Sequence, residues 1–464
     1  MSEQLTPIIA DMSDAATFFN EEKLCNTVSD ALDYAKKLGA NAAEAGISVN
    51  QGLQASVRMG ELQTLEHNRD RTLSITLYKH QNDGVHKGSA SCGDLKLASV
   101  REAVEQAYAI ACHTEGDSAS GLAEAEQMAT IFHPLDLWHP NPQAPEDLID
   151  QSLAIEQAGR DVDARIFNSE GAQSGYSMAM GVYANTHGFL GRASGTSFSR
   201  SVALVASDDS QEGMQRDYAW DQTRRFSDLG ETLELGQQAA KKTIARLGAK
   251  SIPTCSAPIL FTAEVASGLL RNMVSALTGG NLYRQSSFLT DKVGTSLFPG
   301  FVQIAEDPHR ELGINSANYD SDGVATGLCN PLIVDGIIQR YILSAYSARR
   351  MDLKTTGNAG GVRNLTIKPG EKNLQELIKT MHKGFVVTEM MGQGINIVNG
   401  DYSRGAGGFW VENGEIAHPV QEVTIAGNLK DMFAGLVELG NDVDTRGNMC
   451  TPSWLVNQMM IAGD

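Results

Sequence analysis

Ten histidines and six cysteines are the residues of this 464-residue chain best suited to metal or nucleophilic chemistry, so their spacing is the first constraint on function. A zinc hydrolase of the HExxH kind sets two histidines on neighbouring turns of a helix with a carboxylate beside the first. No two histidines here are three or four residues apart. His133 and His139, each followed by proline, lie six apart and read as loop or surface histidines. The cysteines (Cys25, Cys92, Cys112, Cys255, Cys329, Cys450) form no CxxC pair, the pattern of reduced intracellular thiols rather than a zinc ribbon or disulfide framework. No GxxxxGK[ST], complete GxGxxG or GxSxG occurs, so the common phosphate cradles and the serine-hydrolase elbow are missing. Arg404-Gly405-Ala406-Gly407-Gly408 reads better as bulge and turn glycine than as an anion nest. Asp320-Ser321-Asp322-Gly323 resembles the start of a calcium loop, but Pro331 stands where the bidentate Glu is needed, which leaves an Asp/Gly turn. The pairs Met390-Met391 and Met459-Met460 read as core filler.

The chemistry must be positioned by a scaffold, and 464 residues suffice for about three domains. With 42% hydrophobic residues the chain has the apolar surface to fold. A formal charge of -19 disfavours nucleic acid and anionic membrane surfaces as partners. The first twenty residues lack the basic and apolar regions of an export signal, and no stretch offers 18 consecutive apolar residues, so a cytoplasmic protein is expected.

After a polar leader (residues 1–20), apolar residues at Leu24, Val28, Leu32, Ala35 and Leu38 predict a helix ended by Gly39. Alternating runs between about 44 and 92 predict an antiparallel meander of about four strands, with a tight turn at Asn82-Asp83-Gly84. Helical spacing returns over 95–112, completing a first α+β unit (21–114). A Gly/Ser/Pro-punctuated segment (115–144) predicts a linker or docking loop. Residues 145–250 repeat the order helix, strands, helix, which suggests a second similar unit. The remainder (251–464) holds 26 of the 46 glycines. That excess of turns, the β-branched runs and the hairpin signal Asn413-Gly414 predict a larger antiparallel β domain, barrel- or sandwich-like, with helices.

The run Asp401-Tyr402-Ser403-Arg404-Gly405-Ala406-Gly407-Gly408-Phe409-Trp410-Val411-Glu412-Asn413-Gly414-Glu415-Ile416, continuing to Leu429, resembles the TldD/PmbA family. Ser344 to Arg350, Thr356 to Gly361 and Gly279 to Phe288 add to the resemblance, which spans almost the whole chain and is strongest to the PmbA (TldE) branch. It implies two intertwined bacterial subunits forming a heterodimeric cytoplasmic metalloprotease that matures a peptide antibiotic and degrades an unfolded antitoxin.

The TldD branch carries HExxxH on a helix and a C-terminal cysteine that completes the zinc site. Aligning that helix through Ser267-Gly268-Leu269-Leu270 and Gly280-Asn281 puts Arg271, Asn272 and Ala276 at the His, Glu and His positions. Arginine is not deprotonated to bind zinc, asparagine is not a useful base, and alanine has no ligand atom. Cys450 stands near the family's cysteine ligand, but one thiolate is not a tetrahedral site. The resemblance therefore implies a metal-free partner of a zinc-bearing TldD-type subunit, able to form a homodimer when alone. Unfolded peptide is expected to add as a strand to an exposed edge of the C-terminal β region. Asn281, Arg284, Ser403 and Arg404 are candidate substrate-binding residues, or equally fold-determining polar groups. Two alternatives stand beside this reading: an autonomous metallopeptidase with an unrecognised site, and a regulatory binder linked to DNA gyrase inhibition.

Overall fold

The computed structural model describes residues 18–208, 213–328 and 330–463. Most of the polar leader, and Cys329, lie outside them. Helix α1 (Glu21–Leu38) begins where the Asn20 side chain accepts Lys23 N–H and ends where Gly39 takes φ 97°, a left-handed cap that releases the chain into β1. Three long strands follow: β1 (Ala42–Arg58), β2 (Glu61–Gln81) and β3 (Gly84–Cys92), then α2 (Leu97–His113). The meander thus has three strands, not four. The polar stretch His67–Arg71, which separates two apolar runs, stays in the ladder because β1 is long enough to pair with it, Gln51 lying opposite Arg69.

Residues 114–144 cross the surface with one short 3-10 turn at Ala125–Gln127. The segment is held by main-chain and side-chain grips. Ala129 N–H donates to Gly323 O, Arg349 reaches the carbonyls of Ala119, Gly121 and Leu122, and Asn318 brackets the His133 backbone. The order then repeats as α3 (Pro145–Arg160), β4 (Ile166–Asn185), β5 (Leu190–Ala206), β6 (Gln215–Thr223) and α4 (Thr232–Ala245). β4 pairs with β1, so both halves form one antiparallel sheet of order β3-β2-β1-β4-β5-β6. Every odd residue of β1 from Ala43 to Val57 is buried, and all point to one face. Ala43 to Val49 meet the α1/α2 core, and Leu53 to Val57 meet the α3/α4 core. The four helices therefore form a single layer.

The C-terminal region opens with β7 (Cys255–Phe261), α5 (Ala263–Leu277) and a single turn α6 (Gly279–Leu282). Short strands β8 (Ile304–Glu306), β9 (Pro331–Val334) and β10 (Ile337–Ile338) precede α7 (Ala345–Arg350), β11 (Leu365–Ile367) and α8 (Leu374–Met381). The chain ends with β12 (Gly384–Met391), β13 (Ile395–Asn396), β14 (Asp401–Glu412), β15 (Glu415–Asn428), α9 (Leu429–Ala434), β16 (Leu436–Leu439), β17 (Met449–Cys450) and β18 (Trp454–Ala462). A five-stranded sheet runs β10-β9-β8-β11-β17. The other strands close on themselves: β12, β7, β18, β15 and β14 pair in turn, and β14 pairs back with β12. The result is a five-stranded barrel, antiparallel except at β7/β12. Alternation sorts its faces, with Ile259, Phe261, Phe385 and Val387 in the core shared with α5, and Leu260, Val386, Val411 and Leu455 against α8. Asn413 and Gly414 take positive φ in the β14/β15 hairpin, as their sequence predicts. Among the described residues no helix is long and apolar enough to cross a membrane.

Candidate functional site

A recess of about 770 Å³ lies where the open sheet meets the barrel. One wall is β6 and α4, contributing Asp217, Tyr218 and Lys242; the other is the start of α5, Thr388 of β12, Phe409 of β14 and the loop 442–446. Helix α5 begins straight after β7, which places Glu264 in its first turn, where helix polarity favours a carboxylate. The loop is fixed by Asp442, which accepts from Ser453 N–H at 3.0 Å and its hydroxyl at 2.6 Å, while that hydroxyl also accepts from Ala263 N–H at 3.1 Å.

Glu264 is the hub of the groove. It pairs with Lys242 Nζ at 3.0 Å and Arg446 Nη2 at 3.8 Å, and accepts from Trp220 Nε1 at 3.3 Å. The Arg446 guanidinium stacks 4.4 Å from the Trp220 ring and chelates Asp444 at 2.7 Å. Burial pushes the Asp444 carboxyl upward, but the Arg446 contacts overcome this and hold it below the ordinary aspartate value. Asp217, 3.4 Å from Arg246 Nη1, is raised by burial despite its cationic neighbours, and Arg246 also clamps Glu389. The Thr388 hydroxyl, bordering the groove, has no hydrogen-bond partner. The arrangement can hold polar and charged groups of an elongated ligand; it presents no nucleophile–base pair.

The residues singled out from sequence scatter. On α5, Arg271 is exposed, Asn272 half-buried and Ala276 fully buried against the core, so the three do not converge on one site. Cys450 is buried on β17, which packs beside α5. Its sulfur receives Arg310 Nη1 at 3.3 Å, a cation where a zinc ion would need further donors. Among the described residues no three His, Cys, Asp or Glu are grouped to hold a metal. The residues present therefore do not fit zinc. His133 stacks at 4.1 Å on His309, not on His139, whose ring bonds the Asp136 carbonyl. Asp320 closes an Asx turn by accepting Asp322 and Val324 N–H, while Met459 is core and Met460 exposed.

Asn281 caps the end of α5, donating to Ser275 O at 2.9 Å, and Arg284 stacks on Tyr283 at 5.2 Å; neither lines the groove. Ser403 is exposed and its N–H donates to Gly394 O at 2.7 Å. Arg404 alone of the four reaches the site, in a side recess of about 280 Å³ that shares Asp217, Tyr218, Glu264 and Thr388 with the groove. The other glycines of that run serve the barrel: the ladder bulges between Ala406 and Gly408, and a Cβ at Gly408 would fall 1.9 Å from Val386 O. The C-terminal edge expected to receive peptide is much reduced by closure of the barrel: β13 and β16 are two and four residues long, and the first half of β15 is left with only the Lys250 bridge on its outer side. Lys242, Glu264 and Arg446, which form the groove, and Trp220, which bonds Glu264 from the adjoining recess, belong to no motif. Only the acidic first turn of α5 hints at them.

Family models described as PmbA/TldA metallopeptidase match the chain three times: domain 1 over 43–111, the central domain over 138–247 and the C-terminal domain over 254–463. The chain belongs to the PmbA/TldD metallopeptidase family. It is 42% identical to the metalloprotease PmbA of Escherichia coli O157:H7, over 94% of this chain and 95% of that protein. A crystal structure from Bacteroides thetaiotaomicron, named as a modulator of DNA gyrase, superposes with a TM-score of 0.87 at 25% identity, covering 95% of this chain and 98% of its own. TldE from Thermococcus kodakarensis shares the fold, with a TM-score of 0.81 at 20% identity over 94% and 100% of the two chains.

Proposed function

We propose that this chain is the non-metal-binding subunit of a TldD/TldE-type cytoplasmic metalloprotease acting on peptides or unfolded proteins. The observation that carries the reading is the chemistry at the positions that the resemblance aligns with the TldD-branch zinc motif. Arg271, Asn272 and Ala276 supply neither ligand nor base, Ala276 is packed into the core, and Cys450 faces Arg310. In this reading the zinc and the catalytic water belong to a TldD-type partner, and this chain supplies an interface and a surface for the peptide. The likeness to PmbA and the TldE fold support it. Alone, the chain pairs with itself through the surface that the partner otherwise occupies.

The test is elemental analysis of the purified chain together with a peptidase assay, with and without a TldD-type subunit. Activity that appears only on mixing, with zinc tracking the partner, is the expected result. Stoichiometric zinc and activity in the isolated chain would instead establish an autonomous peptidase. The gyrase-related name of a structural neighbour supports a second reading, a regulatory binder. Its signature is stable association with gyrase and none with a TldD-type chain, and the charge of -19 disfavours direct contact with DNA.

A further inference from the structure

Strand β6 pairs with β5 on one side, and its other side faces the groove. Two carbonyls on that outer side, two residues apart and therefore aimed alike, are each capped by a cation: Tyr218 O by Lys242 Nζ at 3.3 Å and Trp220 O by Arg446 Nη1 at 2.9 Å. The neighbouring amides are capped as well, Tyr218 N–H by Asp217 at 2.7 Å and Gln222 N–H by Asp221 at 2.8 Å. Both cations are tethered by Glu264, which sits across the groove on α5 and is itself held by the Trp220 indole. Capping charges are a common way to keep an edge strand from pairing. Here, however, the guarded edge runs along a cavity of about 770 Å³, room that edge protection alone does not require.

We propose that the outer edge of β6 receives an extended, basic peptide segment, and that Lys242, Glu264 and Arg446 form a gate the peptide displaces. The proposal deepens the peptide-handling reading above. An extended backbone presents N–H groups at the two-residue repeat of the Tyr218 and Trp220 carbonyls, which a compact ligand does not. Its charge follows from what lines the path. Asp217, Glu264, Asp442 and Asp444 border the groove beside Lys241, Lys242 and Arg446, and Asp221, Glu231 and Glu234 border its continuation of about 420 Å³ past Trp220 beside Arg200, so carboxylates outnumber cations along the path. When the two cations leave the carbonyls, a lysine or arginine of the peptide restores the balance that these carboxylates need.

The test uses the full chain and fluorescein-labelled, unstructured 12-residue peptides of lysine-rich, neutral and glutamate-rich composition, read by anisotropy at low and moderate salt. The lysine-rich peptide is expected to bind roughly tenfold more tightly than the glutamate-rich one. The double variant Lys242→Ala/Arg446→Ala should bind the neutral peptide about five- to tenfold more tightly than the native chain does, with the β6 amides gaining hydrogen-exchange protection in the complex. A gain for the lysine-rich peptide alone would show that the cations act only through charge, and would overturn the gate. Protection that maps away from β6, or absence of binding by all three peptides, would overturn the site. Glu264→Gln keeps both cations and loosens Lys242 while Arg446 stays chelated by Asp444; it should give a smaller gain of the same sign and carries the test should the double variant fail to fold. No protease subunit is present in the assay. A chain that binds peptide yet fails to activate a TldD-type partner sinks only the earlier reading, and one that activates the partner without binding sinks only this one.

Discussion

The N-terminal sheet and the C-terminal barrel are both largely antiparallel, yet the sheet ends at β6 with an outer edge guarded by side chains, while the barrel has no end because β12 pairs with β14. The physical difference lies in what occupies the last strand's free hydrogen-bonding groups. In the barrel they are consumed by other strands, so that region can rearrange only by breaking its ladder. In the sheet they are held by the side chains of Lys242, Arg446, Asp217 and Asp221, not by another strand. An open edge beside a groove is thus available for binding, whereas the closed barrel is a support.

The sharpest way to break this contrast is to open the barrel. Gly408→Val would set a side chain into the Val386 carbonyl, against a clearance of 1.9 Å, and should abolish cooperative folding of the C-terminal region, seen as protease sensitivity. A variant that melts with the native chain would show that closure is dispensable. Next in size is a matched pair of tryptophans. Trp454→Ala, fully buried on the barrel strand β18, should cost about 3–5 kcal/mol in denaturant unfolding. Trp220→Ala on the open edge, half-buried, should cost about 1 kcal/mol and act chiefly on ligand binding. Equal costs would erase the distinction between support and site.

Asp320, in the turn against which residues 127–129 dock, has its carboxyl raised to about 7 by burial and by Asp322. Between its unfolded value and about 7 the native state keeps a proton that the unfolded chain has lost. This contribution, at most about 4 kcal/mol, is therefore complete at acid pH and is lost as pH rises through about 7. Denaturation of the native chain at pH 5 and 8 should show the decline, and Asp320→Asn should flatten it; an unchanged slope would refute the assignment. The smallest effect concerns α8, which packs on the barrel. Asn373→Ala removes the capping box formed with Glu376 and should cost about 1 kcal/mol, with peptide binding at β6 unaltered.

Much of the fold was legible because its signals are local. The caps of α1, the apolar period of α5, the Asn413-Gly414 hairpin and the glycine-rich strands each write their structure into neighbouring residues. The strand count failed at His67–Arg71, since polar residues there stay extended only because β1 lies alongside. The groove was less legible still. Lys242 ends a helix, Glu264 begins another, Trp220 sits on an edge strand and Arg446 on a late loop, so no spacing links them.

The sequence by itself determined the helices and hairpins and the family's signature, and it set arginine, asparagine and alanine at positions 271, 272 and 276, where side-chain identity decides what can ligate regardless of packing. The tertiary structure decided that two repeated units share one sheet, that the C-terminal strands close, and that the edge facing the groove is β6. Those outcomes depend on pairings between strands far apart in the chain, whose hydrogen bonds involve backbone groups common to every residue and so leave no mark of their partner in the sequence.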